Sequence, residues 1–290
     1  MGTFDGVHKG HKVIIDRLRQ IASRFNGESV VLTFYPHPRM VLQPDNDMRL
    51  LTTIAEKKVL LEKAGIDHLI IHPFDKKFSR LSSIEFVRDI LVNQIGTKKL
   101  VIGYDHHFGR NREGSFEHLS EFGPIYGFDV EEIPAQEVDE VNVSSTKIRR
   151  ALNHGEIEIA KAYLGYSYFL HGKVVHGDKL GRKLGFPTAN IEVDNSYKLI
   201  PANGIYSVMV ERKGQEFPGM ANIGTRPTIT GSNGLLKLEV NLFDFSDDLY
   251  DEELKVTFLE YIREEKKFDS TEELIEAMKE DEKRVRSFFE

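Results

Sequence analysis

The sequence predicts two folds in series: an α/β domain on a doubly wound parallel sheet, then an antiparallel β domain finished by one helix. Three observations carry this. In the first half, buried-strand patterns alternate with helical ones. From about Tyr166 the strand candidates are rich in β-branched and aromatic residues. The final stretch has the apolar spacing of a surface helix. With 290 residues there is chain enough for two ordinary domains. The change of texture places their boundary between Leu152 and Ser167, giving domains 1–160 and 166–290.

Ile14, Leu18, Ile21 and Phe25 recur as on one face of a first helix. Ser29–Phe34 reads as a buried strand, Ile54–Ala64 as a helix and His68–His72 as a short strand. Ser82 is placed to cap a helix over Ser83–Gln94. Lys99–Gly103 and Phe128–Ile133 are two further strands, followed by helices over Ser144–Leu152 and Ile157–Leu164. The later strands are Phe169–Val175, Gly204–Glu211, Leu236–Phe243 and Leu254–Tyr261, with Lys213–Gly214 as a hairpin turn. They suit an antiparallel barrel or a sandwich. Ser270 and Glu273 form a capping box for the closing helix, whose apolar face is Leu274, Met278, Val285 and Phe288.

Composition removes several function classes. A formal charge of −7 argues against broad binding to nucleic acid, so any phosphate site must be local. There is no cysteine, which removes disulfides and thiolate-held zinc or iron–sulfur centres. No apolar run is long enough to span a membrane, and the start lacks a basic-then-apolar signal pattern. A cytoplasmic protein without a membrane partner is expected.

Four clusters in the first half carry chemistry. Gly2-Thr-Phe-Asp-Gly-Val-His-Lys-Gly-His11 sets His8 and His11 at the N-terminal end of the first helix. Free backbone N–H groups and the helix dipole favour anions there, and Gly10 lets a phosphate approach. Thr33-Phe-Tyr-Pro-His-Pro38 leaves the carboxyl end of a strand, where open parallel sheets bind ligands. Gly103-Tyr-Asp-His-His-Phe-Gly-Arg-Asn-Arg-Glu-Gly114 offers Asp105, two arginines and three glycines to a polar ligand. His106 and His107 are adjacent, so their side chains point apart, and no further spacing supports a metal. Val143-Ser-Ser-Thr-Lys-Ile-Arg149 opens a helix with three hydroxyls, which either cap it or bind phosphate beside Lys147 and Arg149.

The second half is densest at Gly172-Lys-Val-Val-His-Gly-Asp-Lys-Leu-Gly-Arg-Lys-Leu-Gly-Phe-Pro-Thr-Ala-Asn190. Its glycines can wrap phosphates with backbone N–H groups, although it is not a P-loop. Thr188 and Asn190 alternate on a short strand and direct two hard oxygens one way, which suits Mg²⁺. Asn222-Ile-Gly-Thr-Arg-Pro-Thr228 is a second loop. Glu239 stands on a strand with Leu238 and Val240 on the opposite face, as a general base would or as an ordinary exposed glutamate would.

These motifs resemble, in order, those of the bacterial bifunctional riboflavin kinase/FAD synthetase family. The first-half series is Gly-x-Phe-Asp-Gly-x-His-x-Gly-His, Pro-His-Pro, Gly-x-Asp-x-x-Phe-Gly and Ser-Ser-Thr-x-Ile-Arg. The second-half signature is Gly-Arg-x-Leu-Gly-Phe-Pro-Thr-Ala-Asn, within a resemblance running from about Tyr168 to Phe289. The resemblance implies a Rossmann-like nucleotidyltransferase domain that adenylylates FMN to FAD with ATP. It also implies a six-stranded antiparallel barrel with a C-terminal helix that phosphorylates riboflavin. Gly2, Phe4, Asp5, Gly10, Ser144, Ser145 and Thr146 would bind nucleotide in the first domain, with His8, His11 and Arg149 catalytic. In the second, nucleotide falls to Gly172, His176, Gly177, Gly181, Arg182, Gly185 and Pro187, Mg²⁺ to Thr188 and Asn190, and proton abstraction to Glu239. Flavin contacts would come from Asp105, Phe108 and Arg112 in one domain and Asn222, Arg226 and Arg263 in the other. Riboflavin, FMN and ATP are then the partners, FMN and FAD are products rather than prosthetic groups, and a monomer or weak oligomer is expected.

This chain departs from the family pattern in three places. Asn241 stands where relatives usually have histidine, which alters a neighbouring hydrogen bond rather than the base. Asp251 replaces a frequent glycine in a turn. Only Met1 precedes the first motif, whereas relatives carry a further segment with a central strand. Losing a central strand would cost several kcal/mol by cavity estimates. An upstream start or a truncated chain is therefore expected. Two alternatives follow: a riboflavin kinase whose first domain is inactive, or a non-catalytic flavin-binding regulator.

Overall fold

The computed structural model describes all residues except 46, 105, 135–142, 178–180, 182–183, 227–234 and 290, and the side chains of all the others except 226 and 235. The chain divides into two compact units, Met1–Ser145 and Thr146–Glu290.

The first unit alternates strands and helices, as its two periods predict. Helix α1 (Lys9–Arg24) leads to strand β1 (Val30–Tyr35), a short helix α2 (Pro38–Leu42) and helix α3 (Ile54–Lys63). Strand β2 (His68–Pro73) follows. Helix α4 opens over Ser83–Glu85 and continues in wider π-helical turns over Phe86–Ile95. Strand β3 (Lys99–Gly103), helix α5 (Phe116–Tyr126) and strand β4 (Asp129–Ile133) complete the unit. The strands form two parallel pairs. β1 pairs with β2 from Val30↔His68 to Tyr35↔Pro73, and β3 with β4 from Lys99↔Asp129 to Gly103↔Ile133. Leu32, Phe86, Ile90, Leu100 and Ile102 share one core.

Capping sets several helix starts. Thr53 accepts from the Glu56 N–H while Glu56 accepts from the Thr53 N–H, and Ser82 and Glu85 repeat the exchange. The buried face of α1 is broader than predicted. Ile15 is buried with Phe4 and Val7, whereas Phe25 is the residue after the helix and is exposed. Beyond the last helical turn the 3.6-residue period no longer fixes a direction.

In the second unit, helices α6 (Ser145–Asn153, opening at the boundary residue) and α7 (Ile157–Leu164) precede six strands. These are β5 (Phe169–Val175), β6 (Ala189–Val193), β7 (Gly204–Arg212), β8 (Gln215–Arg226), β9 (Leu235–Leu242) and β10 (Glu253–Arg263). They close a barrel in the order β10-β5-β6-β9-β8-β7, with every neighbouring pair antiparallel. Side chains alternate, so Tyr206, Val208, Val210, Leu238, Val240, Val256 and Phe258 are buried along their strands.

Helix α8 (Thr271–Phe289) packs on the outer wall, with Val285 against Ile205, Met220, Phe243 and Ile262. Two expectations for it are corrected. Phe289 packs against that cluster and Phe288 is exposed, because the buried face runs through positions 281, 285 and 289. Only half of the predicted capping box forms. The Ser270 hydroxyl accepts from the Glu273 N–H, but Glu273 accepts from the Asp269 N–H instead of that of Ser270.

Candidate active sites

In the first unit, the segment before α1 is fastened at many points. Gly2 N–H donates to the Leu32 carbonyl at 2.9 Å, tying the segment to β1. Phe4 and Val7 are buried, and both adopt positive φ, 45° and 38°. For a β-branched valine that conformation is strained, so the surrounding contacts must hold it. Those contacts come mainly from the segment leading into α3. The Asp5 carboxylate accepts the Leu51 and Thr52 N–H groups, and Gly6 N–H donates to Thr52 Oγ1. Lys57 Nζ donates to the Thr3 carbonyl at 2.7 Å. Ser145 Oγ donates to the Asp5 carbonyl at 2.9 Å.

His8 is the N-cap of α1, with His11 in the first turn. Their rings stack at 3.7 Å between centroids and 18° between planes, and Phe4 lies 5.1 Å from His11. Burial, then the nearby His8 and Lys57, hold the His11 imidazole well below its usual pKa. It is neutral at pH 7 and can meet an anion as an N–H donor. His11 Nδ1 is buried with no hydrogen-bond partner among the described residues. A Cβ at Gly10 would lie 3.3 Å from the His8 ring, so glycine there allows close packing of backbone and imidazole.

Sequence reasoning assigned no role to Lys57. It is 4% exposed, which is rare for an ammonium group. Its signal in the sequence is weak, because Lys57 stands on α3, far along the chain from the histidines.

Other predicted residues of this half are spread differently. Phe108 is buried against Phe86, with Gly114 stacked on its ring. Arg112 is exposed. Asp105 lies outside the described residues. Burial, followed by the N-terminal amine, His107 and Arg112, lowers the His106 pKa from 6.5 to about 3. Ser144 precedes α6, which Ser145 opens, and Thr146 and Arg149 lie further along that helix. No group of three or more metal-ligating side chains occurs among the described residues.

In the second unit, strand register assembles the site. Asn190 on β6 lies opposite Glu239 on β9, Glu239 opposite Asn222 on β8, Asn222 opposite Ile205 on β7, and Ile205 opposite Arg263 on β10. Leu238 and Val240 are buried toward the barrel interior, so Glu239 stands on the outer wall. Asn222 Oδ1 is buried with no hydrogen-bond partner among the described residues, an acceptor beside a carboxylate. Lys237 Nζ lies 3.6 Å from the Glu239 carboxylate.

The glycines make room for this row. A Cβ at Gly177 would fall 2.1 Å from Asn190 Nδ2, and one at Gly181 would fall 3.1 Å from Thr188 Oγ1 and 2.3 Å from the Phe186 carbonyl. Gly181 accepts the Leu184 and Phe186 N–H groups, which turns the chain back to Pro187 and Thr188. Gly185 takes up a left-handed φ of 88° in that turn. Gly172 answers to sheet packing, since a Cβ would meet the Glu192 carbonyl of β6 at 2.4 Å. His176 packs 4.1 Å from Tyr250. Arg182 lies outside the described residues, as does the Arg226 side chain.

Arg263 is already engaged. It binds Asp281 of α8 through two hydrogen bonds of 2.8 and 2.6 Å and also donates to the Glu264 carbonyl. It borders a cavity of about 380 Å³ with Lys266, Phe268, Glu280 and Arg284. The donor set of Thr188 and Asn190, hard oxygens against close glycine backbone, fits a magnesium–phosphate group.

Two family models match the chain, described as FAD synthetase over residues 1–147 and riboflavin kinase over residues 164–289. The chain is 41% identical to the Bifunctional riboflavin kinase/FMN adenylyltransferase of Pseudomonas fluorescens, covering 97% of this chain and 89% of the relative. It is 40% identical to the protein of that name from Haemophilus influenzae, covering 100% and 93%. A solved structure named Macrolide-efflux Protein, from Streptococcus pneumoniae, superposes with a TM-score of 0.89 at 32% identity, covering 99% of this chain and 92% of that one. Among the described residues, no helix of this chain is long and apolar enough to cross a membrane.

Proposed function

We propose that this chain, which belongs to the bifunctional riboflavin kinase/FMN adenylyltransferase family, converts riboflavin to FMN and FMN to FAD with ATP. Residues 1–160 serve as the adenylyltransferase domain and 166–290 as the kinase domain. The observation that carries the reading is the cross-strand row Asn190, Glu239 and Asn222 beside the Gly177–Gly181 turn. A purely binding surface has no need of a carboxylate fixed between two amides.

In the kinase domain, Glu239 takes the proton of the riboflavin 5′-hydroxyl as its oxygen attacks the γ-phosphorus of ATP, and ADP leaves. Thr188 and Asn190 would hold Mg²⁺ with the nucleotide, where it would supply neutralisation of the phosphate charge. Gly177, Gly181 and Gly185 bring backbone close to the phosphates. Asn222 and Arg263 face the flavin. In the adenylyltransferase domain, the FMN phosphate attacks the α-phosphorus of ATP and pyrophosphate leaves. His8 and His11 donate N–H groups to the charge developing there, and Ser144 and Ser145 hold the outer phosphates. Positioning and charge stabilisation do the work, with no covalent enzyme intermediate.

Incubation with riboflavin and Mg·ATP, with products separated chromatographically, tests the whole reading. FMN together with FAD is the expected result, FMN alone would leave only the kinase, and neither product would sink the proposal. Glu239→Ala is expected to abolish FMN formation while FMN-to-FAD conversion continues. His8→Ala is expected to do the reverse.

A further inference from the structure

Asn241 lies on β9 two residues beyond Glu239, on the same face of the strand, and is 7% exposed. Its Nδ2 donates to the Pro187 carbonyl at 2.7 Å. Its backbone is fixed from the other side, because Asn241 pairs with Met220 of β8.

The Pro187 carbonyl has a particular need for this bond. The β6–β9 ladder covers only Ala189–Ile191, against Val240, Glu239 and Leu238. One step before it stands Thr188, and before that a proline, which has no N–H to extend the ladder. Among the described residues, Thr188 is therefore tethered by backbone pairing on its C-terminal side alone. The Asn241 amide supplies the missing tether on the other side, from a strand that is itself held at both edges. Gly181 closes the turn, where an added Cβ would fall 3.1 Å from Thr188 Oγ1.

We propose that Asn241 is a positioning residue of the kinase site: by gripping the Pro187 carbonyl it sets Thr188 level with Asn190 on the face that carries Glu239. The inference rests on the kinase reading above. It concerns nucleotide placement and not proton abstraction, so Asn241 acts on Mg·ATP and leaves riboflavin binding alone.

Calorimetric titration of the full chain with Mg·ADP reads placement without turnover, taking as the kinase component the binding that Thr188→Val removes. Asn241→Ala loses the donor, and Asn241→Asp keeps the size but sets an acceptor against a carbonyl. Each is expected to weaken that component about 5-fold or more, the worth of one net hydrogen bond. KM for Mg·ATP should rise in parallel, with KM for riboflavin and FMN-to-FAD conversion unchanged. Asn241→His, whose ring N–H can reach the same carbonyl, should restore most of the affinity. Unchanged Mg·ADP binding in a folded Asn241→Asp protein would overturn the inference. So would a rise in the two KM values together, or a failure of Asn241→His to rescue. A wild-type protein that binds Mg·ADP but makes no FMN would instead remove the kinase reading, while the binding data would still decide the role of Asn241.

Discussion

Lys57 shows what one buried charge does to its surroundings. Its ammonium is satisfied by the Thr3 carbonyl, and Asp5 offsets the burial that lowers its pKa. Its field also helps to keep His11 neutral. Lys57→Met removes the charged donor to the Thr3 carbonyl, which keeps the hydrogen bond from Thr33 Oγ1, at a cost of about 1.5 kcal/mol. FMN-to-FAD conversion is expected to fall, riboflavin phosphorylation to stay, and the His11 pKa, followed by proton NMR, to rise. An unaltered His11 titration would show that Lys57 does not act on it. Gly177→Ala tests the second unit in the same way. The added methyl must displace the Asn190 amide, so FMN formation should drop at least tenfold. Of these residues the glycines and histidines were legible, because their chemistry sits in dense local motifs. Lys57 was not, because contacts across some fifty residues leave no local pattern. Asp5 was legible as important, but its carboxylate is occupied by Leu51 and Thr52 backbone.

Among the elements, α8 illustrates how a surface helix is registered. Its apolar grip is Val285, and its polar grip is Asp281 on Arg263, the last residue of β10. Asp281→Ala strands a guanidinium that is only one-fifth exposed. The expected loss is about 2 kcal/mol, between the values for exposed and buried pairs, read by urea unfolding of the second unit. Equal stability of variant and wild type would make the clasp incidental. Strong periodicity made most strands and helices readable to within a residue or two. Helix α5 escaped because Gly123 and Pro124 lie inside it and read as a break. Strand β8 was seen only in part, since Pro218 and Gly219 interrupt its pattern, although the barrel accommodates both.

At the scale of the whole molecule, the two units should respond differently to acid. In the unfolded chain His11 and His106 titrate near 6.5, whereas folded they stay neutral to much lower pH. Below 6.5 the unfolded state therefore binds more protons, and stability falls as pH drops, by about 1.4 kcal/mol per pH unit for each histidine. Both residues belong to the first unit. In the second unit, Arg212 and Lys213 hold Glu252 at about 2, so that contribution is lost only as pH falls below about 4.5. Urea titrations at pH 7 and 5.5, following the two activities separately, are expected to show adenylyl transfer lost earlier at the lower pH. His106→Gln should lessen that shift. Parallel losses of both activities would contradict it.

Barrel closure also dictates an order of events during synthesis. The ladder that seals the barrel joins β10 to β5, Thr257 to Phe169 and Glu253 to Lys173, across some eighty intervening residues. Long-range pairings of this kind form late, after the entropy of a large loop has been overcome. Thr188 and Asn190 leave the ribosome long before β10 does. The first unit can be complete while the second is still an open sheet with two unsealed edges, and a nascent chain that pauses before Glu253 exposes them for as long as it waits.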